Sequence, residues 1–521
     1  ALDVDFGDLL DHFALDPRTR AILLYVESIR NARKFMSAAR AAARAKPVVV
    51  VKSGRHAAGA RAAATHTGAL AGSDAVYDAA FRRAGLLRVH SLDELFAAAE
   101  TLRHVRGTPG RRLGVLTNGG GVGVLAVDTL SDLGGTVATL SEDTITRLDG
   151  VLPGTWSRAN PVDIVGDADG ARYTAALEAM LADPATDAVL TMNVPTALSS
   201  ASEAAHAVVD VLGRRRGRAG DKPVFAVWLG KQQDAIDTLD AANIPTYATE
   251  ADAVRGFMYL VRHQEAQDAL KETPPSLPED FAPDAAAAQA VIAEAVAAGS
   301  EWLDPLQVGR LFAAYGIPIT PVVRAADPDA AAQAAGDLLA QGEAVVVKIL
   351  SPDIQHKSDV DGVRLGLVSA DAVREAAAGI LQRARERQPQ ARIDGVTVQP
   401  MVVRQKAREL ICGIADDATF GPVIVFGRGG TAVEVIDDKA LALPPLDLRL
   451  AHELIARTRV SRILKAYRDV PAADTDAIAL VLVKLAQLAA DLPQVRELDI
   501  NPLLADRDGV VAVDARVRIA P

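Results

Sequence analysis

Cysteine is almost absent: the 521 residues hold a single one, Cys412, inside an apolar run. That excludes a disulfide framework and suits a reducing compartment. Aromatic residues make up only 4 % of the chain, so its cores must be built from small and branched aliphatic side chains. There is no surplus of positive charge. Asp and Glu outnumber Lys and Arg 67 to 56, a formal net charge of −11, which removes the electrostatic footprint of a nucleic-acid partner. The basic run Arg214-Arg215-Arg216-Gly217-Arg218 is too short to restore it. Long hydrophobic runs are missing as well. No stretch approaches the roughly 20 apolar residues that span a bilayer, and the N-terminus lacks the shape of a signal peptide. These absences predict a cytoplasmic protein with neither a nucleic-acid nor a membrane partner.

What is present is Ala and Val, which supply most of the 50 % hydrophobic content. Alanine-rich helices on Val/Ile strands are the composition of an α/β protein, and the length suggests about three or four domains. The pattern Ala21–Tyr25 strand, Ile29–Ala45 helix, Pro47–Lys52 strand reads as a βαβ unit. A second series begins with the strand Leu113–Thr117, a glycine-rich turn Asn118–Gly123 and a helix Val124–Leu133. We expect two doubly wound, flavodoxin-like domains over 1–110 and 111–264. A linker with one lead-in helix should follow over 265–301. Residues 302–521 mix helices with antiparallel strands, among them Val345–Leu350, Val396–Val403 and Glu409–Ala415, with acidic residues near the end. That is how an ATP-grasp domain reads.

Two histidines lie in polar segments after predicted strands: His66 in Thr65-His66-Thr67-Gly68, and His356 in Gln355-His356-Lys357-Ser358-Asp359. Neutral imidazole is a good nucleophile near pH 7, so two such sites suggest a phosphoryl group that is handed on. Taken singly, each reads more simply as a hydrogen-bonded loop histidine. Glu27 follows a strand end, where ligands of open α/β sheets collect, and its carboxylate could orient an imidazole. Ser199 and Ser200 before one helix, and Ser28 with Asn31 before another, are capping residues whose helix N-termini could also flank a phosphate. The run Gly119-Gly120-Gly121-Val122-Gly123 suits either tight helix packing or an anion. Lys348 could neutralise nucleotide phosphates, and the backbone of Gln399-Pro400-Met401 could meet an adenine edge. Glu497-Leu498-Asp499-Ile500-Asn501-Pro502 and Val513-Asp514-Ala515-Arg516 place hard oxygen ligands on adjacent strand ends, a pattern suited to magnesium bridging phosphates. Gly427-Arg428-Gly429-Gly430 reads as a flexible turn able to approach phosphate.

Together these strings resemble the nucleoside-diphosphate-forming acyl-CoA synthetases, relatives of succinyl-CoA synthetase. The resemblance is carried by Tyr25-Val26-Glu27, Thr65-His66-Thr67-Gly68, Thr117-Asn118-Gly119-Gly120-Gly121, Asn160-Pro161-Val162-Asp163, Val347-Lys348, His356-Lys357-Ser358-Asp359, Phe420-Gly421-Pro422 and Asp499-Ile500-Asn501-Pro502. It implies that His66 is the phosphohistidine, oriented by Glu27, and that His356 is a second carrier taking phosphate from ATP. It implies Lys348 as the nucleotide lysine, Asn501 and Asp514 as magnesium ligands, and the helices near Ser28 and Ser199 as holders of the phosphohistidine. The implied reaction is acyl-CoA + ADP + phosphate ⇌ carboxylate + CoA + ATP, with acetate the expected acyl group. The ligands are then ATP or ADP, Mg2+ and CoA, in what is expected to be a homo-oligomer. The family's N-terminal CoA-binding domain precedes the point where this chain starts. Asp361 stands where relatives tend to have glycine. The final residues resemble proteins that continue into a GNAT acetyltransferase domain. A competing expectation is therefore a regulatory, acyl-CoA- or nucleotide-sensing region of a protein lysine acetyltransferase. A weaker one is a ligase for another small carboxylate.

Overall fold

Short aliphatic strands alternate with alanine-rich helices from the first residues described. The computed structural model describes residues 4–56, 73–105, 110–215, 221–271, 281–354, 357–430 and 437–520. They fall into two compact units, Ala1–Ala71 with Phe81–Glu272 and Gly72–Ala80 with Thr273–Pro521.

In the first unit, β1 (Ile22–Val26), β2 (Val48–Lys52) and β3 (Leu87–Val89) form a parallel sheet in that order. The crossover helix Ala32–Ala45 buries Phe35, Ala38, Ala39, Ala42 and Ala43, one face at helical spacing. Its cap is Asn31, whose side chain accepts from Lys34 N at 3.1 Å. The helix therefore starts three residues later than the expected Ile29, and Ser28 is not its cap.

A second parallel sheet follows: β4 (Arg112–Thr117), β5 (Thr136–Val137), β6 (Val162–Asp163), β7 (Ala188–Asn193), β8 (Val224–Trp228) and β9 (Thr246–Tyr247). Its order is β5-β4-β7-β8-β9, with β6 also paired to β4. Every residue of β7 and β8 is buried, as expected for strands covered by helices on both faces. Asn160 keys the sheet edge: its Oδ1 accepts from Val115 N, and its Nδ2 donates to Leu113 O and Ala138 O, each at 2.9 Å. The helix after β4 runs Gly120–Asp132, earlier than the expected Val124. A Cβ on Gly123 would stand 3.0 Å from Pro161 Cβ and 3.1 Å from Thr117 Cγ2, so that glycine serves close helix packing. The helix Glu250–Lys271 continues past Gln264 into the stretch read as a linker. It ties the two sheets together, since Gln267 Nε2 donates to Ala43 O at 2.9 Å and Leu270 O accepts from Arg44 Nη2 at 3.0 Å.

The second unit holds two antiparallel sheets. One comprises β10 (Val323–Ala325), β11 (Val345–Leu350), β12 (Val363–Leu367) and β13 (Gly395–Pro400), in the order β10-β13-β11-β12. The helix Ala370–Arg387 covers it through Val373, Ala377, Ile380, Leu381 and Ala384. Between β10 and β11 the chain forms two short helices, Pro328–Ala334 and Gly336–Ala340. The other sheet is β14 (Arg408–Asp417), β15 (Gly421–Arg428), β16 (Lys439–Ala442), β17 (Val495–Asp506), β18 (Gly509–Ala512) and β19 (Ala515–Ile519). Its order is β16-β15-β14-β17-β18, with β19 on β17. The helix Thr475–Asp491 lays Ile478, Leu482, Leu485 and Leu488 on it. Cys412, on β14, is fully buried, and burial pushes its thiol well above the ordinary range. Among the described residues no helix is long and apolar enough to cross a membrane.

Candidate nucleotide and phosphoryl-transfer site

Register brings the polar residues of the second unit together. Lys348 on β11 pairs with Thr397 on β13, and side chains alternate along a strand, so Lys348, Thr397 and Gln399 share one face. That face meets the segment Val513–Ala515, and together with Lys357 and Thr320 these residues line a small cavity between the two sheets. Gln399 Nε2 lies 3.4 Å and Lys348 Nζ 3.5 Å from Val513 O.

Lys348 is only 7 % exposed, and its ammonium stands 3.6 Å from Asp514 Oδ2. Burial pushes its pKa down, and the Asp514 carboxylate opposes the shift. Asp514 faces a second cation, because Lys357 Nζ lies 3.0 Å from Oδ2 and 3.3 Å from Oδ1. Burial alone would raise the carboxyl's pKa, but Lys357 and then Lys348 hold it below the ordinary range. Asp514 therefore stays ionised. Asn501 is joined to it through the backbone, its N donating to Asp514 O at 3.2 Å, while Asn501 Oδ1 accepts from Gly430 N at 3.1 Å.

The carboxylate and the amide oxygen are hard donors of the kind magnesium takes. Among the described residues no cluster of three or more His, Cys, Asp or Glu could hold a metal. Such a sparse donor set fits a magnesium ion carried mainly by phosphate oxygens and water.

One sequence reading is narrowed here and another corrected. Met401 lies just beyond β13, and its N–H donates to Ala344 O at 2.8 Å, so that donor is not open to an adenine edge. Gly427 and Arg428 are the last residues of β15 rather than part of a loose turn. A Cβ on Gly427 would stand 2.1 Å from Asp438 O, so glycine there is required by strand packing.

In the first unit Glu27 directly follows β1, half-buried at the C-terminal edge of its sheet. Beside it Ser53 N donates to Val26 O at 3.0 Å, and Lys52, 2 % exposed, donates Nζ to Ser53 O at 2.7 Å. At the start of the helix Ala201–Arg215, Ser200 is the cap: its Oγ accepts from Glu203 N at 3.3 Å. Ser199 instead turns its hydroxyl to Thr196 Oγ1 at 3.1 Å and Gly166 O at 3.4 Å. His66 and His356 lie outside the described residues. The sequence reading passed over Lys357 and Thr397, which line the cavity, and over the buried Lys52 at the end of β2. Lys52 closing the run Val48–Val51 carried the only compositional signal, a charge where burial is expected.

Three families match successive stretches: a succinyl-CoA ligase like flavodoxin domain over 1–102, a ligase-CoA domain over 113–265 and an ATP-grasp domain over 294–519. The "Acetate--CoA ligase [ADP-forming] I" of Archaeoglobus fulgidus is 37 % identical over 99 % of this chain and 72 % of its own length. The "4-hydroxybutyrate--CoA ligase [ADP-forming]" of Nitrosopumilus maritimus is 30 % identical over 96 % of this chain and 70 % of its own. Among solved structures, the acetyl-coenzyme A synthetase 1 of Ca. Korarchaeum cryptofilum in complex with phosphate and ADP covers 51 % of this chain and 58 % of that one, at 35 % identity and a TM-score of 0.48. The chain therefore belongs to the ADP-forming acetate–CoA ligase family, with flavodoxin-like succinyl-CoA ligase domains and a C-terminal ATP-grasp domain.

Proposed function

We propose that this chain carries the phosphoryl-transfer machinery of an ADP-forming acyl-CoA synthetase, interconverting acyl-CoA, ADP and phosphate with carboxylate, CoA and ATP, with acetate as the acyl group. The observation that carries this reading is the gathering of Lys348, Gln399, Lys357 and Asp514 on one cleft of the region matched as ATP-grasp.

Each residue has a physical task. Lys348, a buried ammonium whose carboxylate partner Asp514 it shares with Lys357, gains most from a phosphate anion, which restores the solvation that burial removed. Asp514 and Asn501 would hold the magnesium ion, which neutralises charge on the phosphate oxygens. Gln399 offers a side-chain amide at the cleft wall. His356 would attack the terminal phosphorus of ATP: an N–P bond forms, the bridging P–O bond breaks and ADP leaves. His66 would take the phosphoryl group in turn, with Glu27 accepting a hydrogen bond from its other ring nitrogen and fixing the tautomer. The helix N-termini near Ser28 and at Ser199 and Ser200 would steady the phosphohistidine by backbone N–H groups and dipole. We place these tasks in domains spanning 1–110, 111–264 and 302–521, joined by 265–301, in a homo-oligomer.

The test is ATP synthesis by the full-length protein from acetyl-CoA, ADP, phosphate and magnesium. ATP and CoA should appear in equal amounts, and both should vanish in His66→Ala and in His356→Ala. Acetyl-CoA that is left unconsumed, or spent only on protein lysines, would overturn the reading.

A further inference from the structure

The segment that leaves position 356 is fixed from behind by an ion cluster. Lys357–Val360 is a single 3-10 turn. It is closed by Asp361 N donating to Ser358 O at 3.0 Å and by Gly362 N donating to Lys357 O at 2.8 Å. Gly362 O in turn accepts from Ile349 N at 2.8 Å, which ties the turn to β11. At its far end Asp361 has φ +51°, in the left-handed region where glycine is at ease and a side chain is held only by compensating contacts.

Those contacts come from two guanidinium groups, with a third on the neighbouring turn. Arg364, on β12, grips the carboxylate with two bonds, Nη1 to Oδ1 at 2.8 Å and Nη2 to Oδ2 at 2.7 Å. Arg383, on the helix Ala370–Arg387, places Nε 3.2 Å from Oδ2 and donates Nη2 to Asp361 O at 3.3 Å. One turn further along, Arg387 Nη1 donates to Asp359 O at 2.9 Å. A lone surface ion pair contributes little, but a two-pronged Arg–carboxylate grip with a second cation on the same group is the geometry that does contribute. The same turn begins at Lys357, whose ammonium rests on Asp514.

We propose that Asp361 is a positioning residue: with Arg364 and Arg383 it clamps the end of the segment 357–362, and thereby sets Lys357 against Asp514 and fixes the chain that leaves His356. Only the functional consequence rests on reading His356 as a phosphate carrier; the clamp does not. An ionic clamp at a left-handed position also makes the segment's opening sensitive to salt, which a glycine there would not.

The test uses the full-length protein with three variants. Asp361→Gly keeps the left-handed backbone and removes the carboxylate, Asp361→Asn keeps size without charge, and Arg383→Gln removes one cation. Hydrogen exchange of peptides covering 357–362 should quicken about tenfold in all three at low salt, with other peptides unchanged. Wild type should approach them in molar salt, where the screening length falls to about 3 Å. Single-turnover labelling of His356 from Mg·ATP should slow several-fold, with Mg·ADP affinity within about twofold of wild type, a split that general unfolding would not give. Unchanged exchange in Asp361→Gly would overturn the clamp, and quickened exchange with unchanged labelling would overturn its positioning role. Quickened exchange in a protein whose wild type never carries phosphate on His356 would sustain the clamp and sink the relay.

Discussion

Lys348 pairs a steep burial with a weak partner, and that combination makes it informative. Because its pKa is pushed down on folding, the unfolded chain holds this proton more tightly than the native one. The penalty on stability is therefore present at neutral pH and fades as pH rises toward the ordinary lysine value of 10.5. Lys348→Met should remove that alkaline increment, as a denaturation series across pH would show. It should also abolish most of the stabilisation that Mg·ADP gives wild type, about 2.7 kcal/mol at a hundredfold excess over Kd. Asp361 has the opposite sign. Its carboxyl is held at about 2, chiefly by Arg364, so its contribution is full above the ordinary value of 3.8 and is lost as pH falls between the two. Acid unfolding of Asp361→Asn should lack that increment. If Glu27 orients His66 as proposed, Glu27→Gln keeps the size of the side chain but weakens that control, and turnover should fall about a hundredfold with the fold intact, read by steady-state rates and circular dichroism. Most of these residue types could be singled out in the sequence, because a lysine in an aliphatic strand or an aspartate after one stands out. The grip of Lys357 on Asp514 could not, since 157 positions separate them and only the sheet packing joins them.

At the scale of elements, strands and long helices follow from spacing alone. The strand Val345–Leu350 stands where the apolar pattern puts it. The differences have local causes. The helix after β4 begins inside the glycine run, and within it Gly123 packs closely against Pro161. β16 and β19 carry no turn signal strong enough to mark them and exist through pairing with β15 and β17. Asn160 shows how much one polar side chain can hold. Its three bonds to backbone groups around β4 predict a loss of about 3 kcal/mol in Asn160→Ala, measured by denaturant unfolding, with Mg·ADP affinity unchanged.

At the scale of the whole molecule, the chain divides its labour. The first unit presents Glu27 and capped helix N-termini at sheet edges; the second presents a cleft between two antiparallel sheets, lined by Lys348, Lys357 and Asp514. The proposed relay between His66 and His356 would give both parts one purpose. The direct measurement is incubation of the full-length protein with γ-labelled ATP and magnesium, followed by mapping of the label. The relay predicts acid-labile phosphate on both His66 and His356 in wild type, on His356 alone in His66→Ala, and on neither in His356→Ala. Wild type without acid-labile label, or a His356→Ala variant labelled at His66 as fast as wild type, would contradict it.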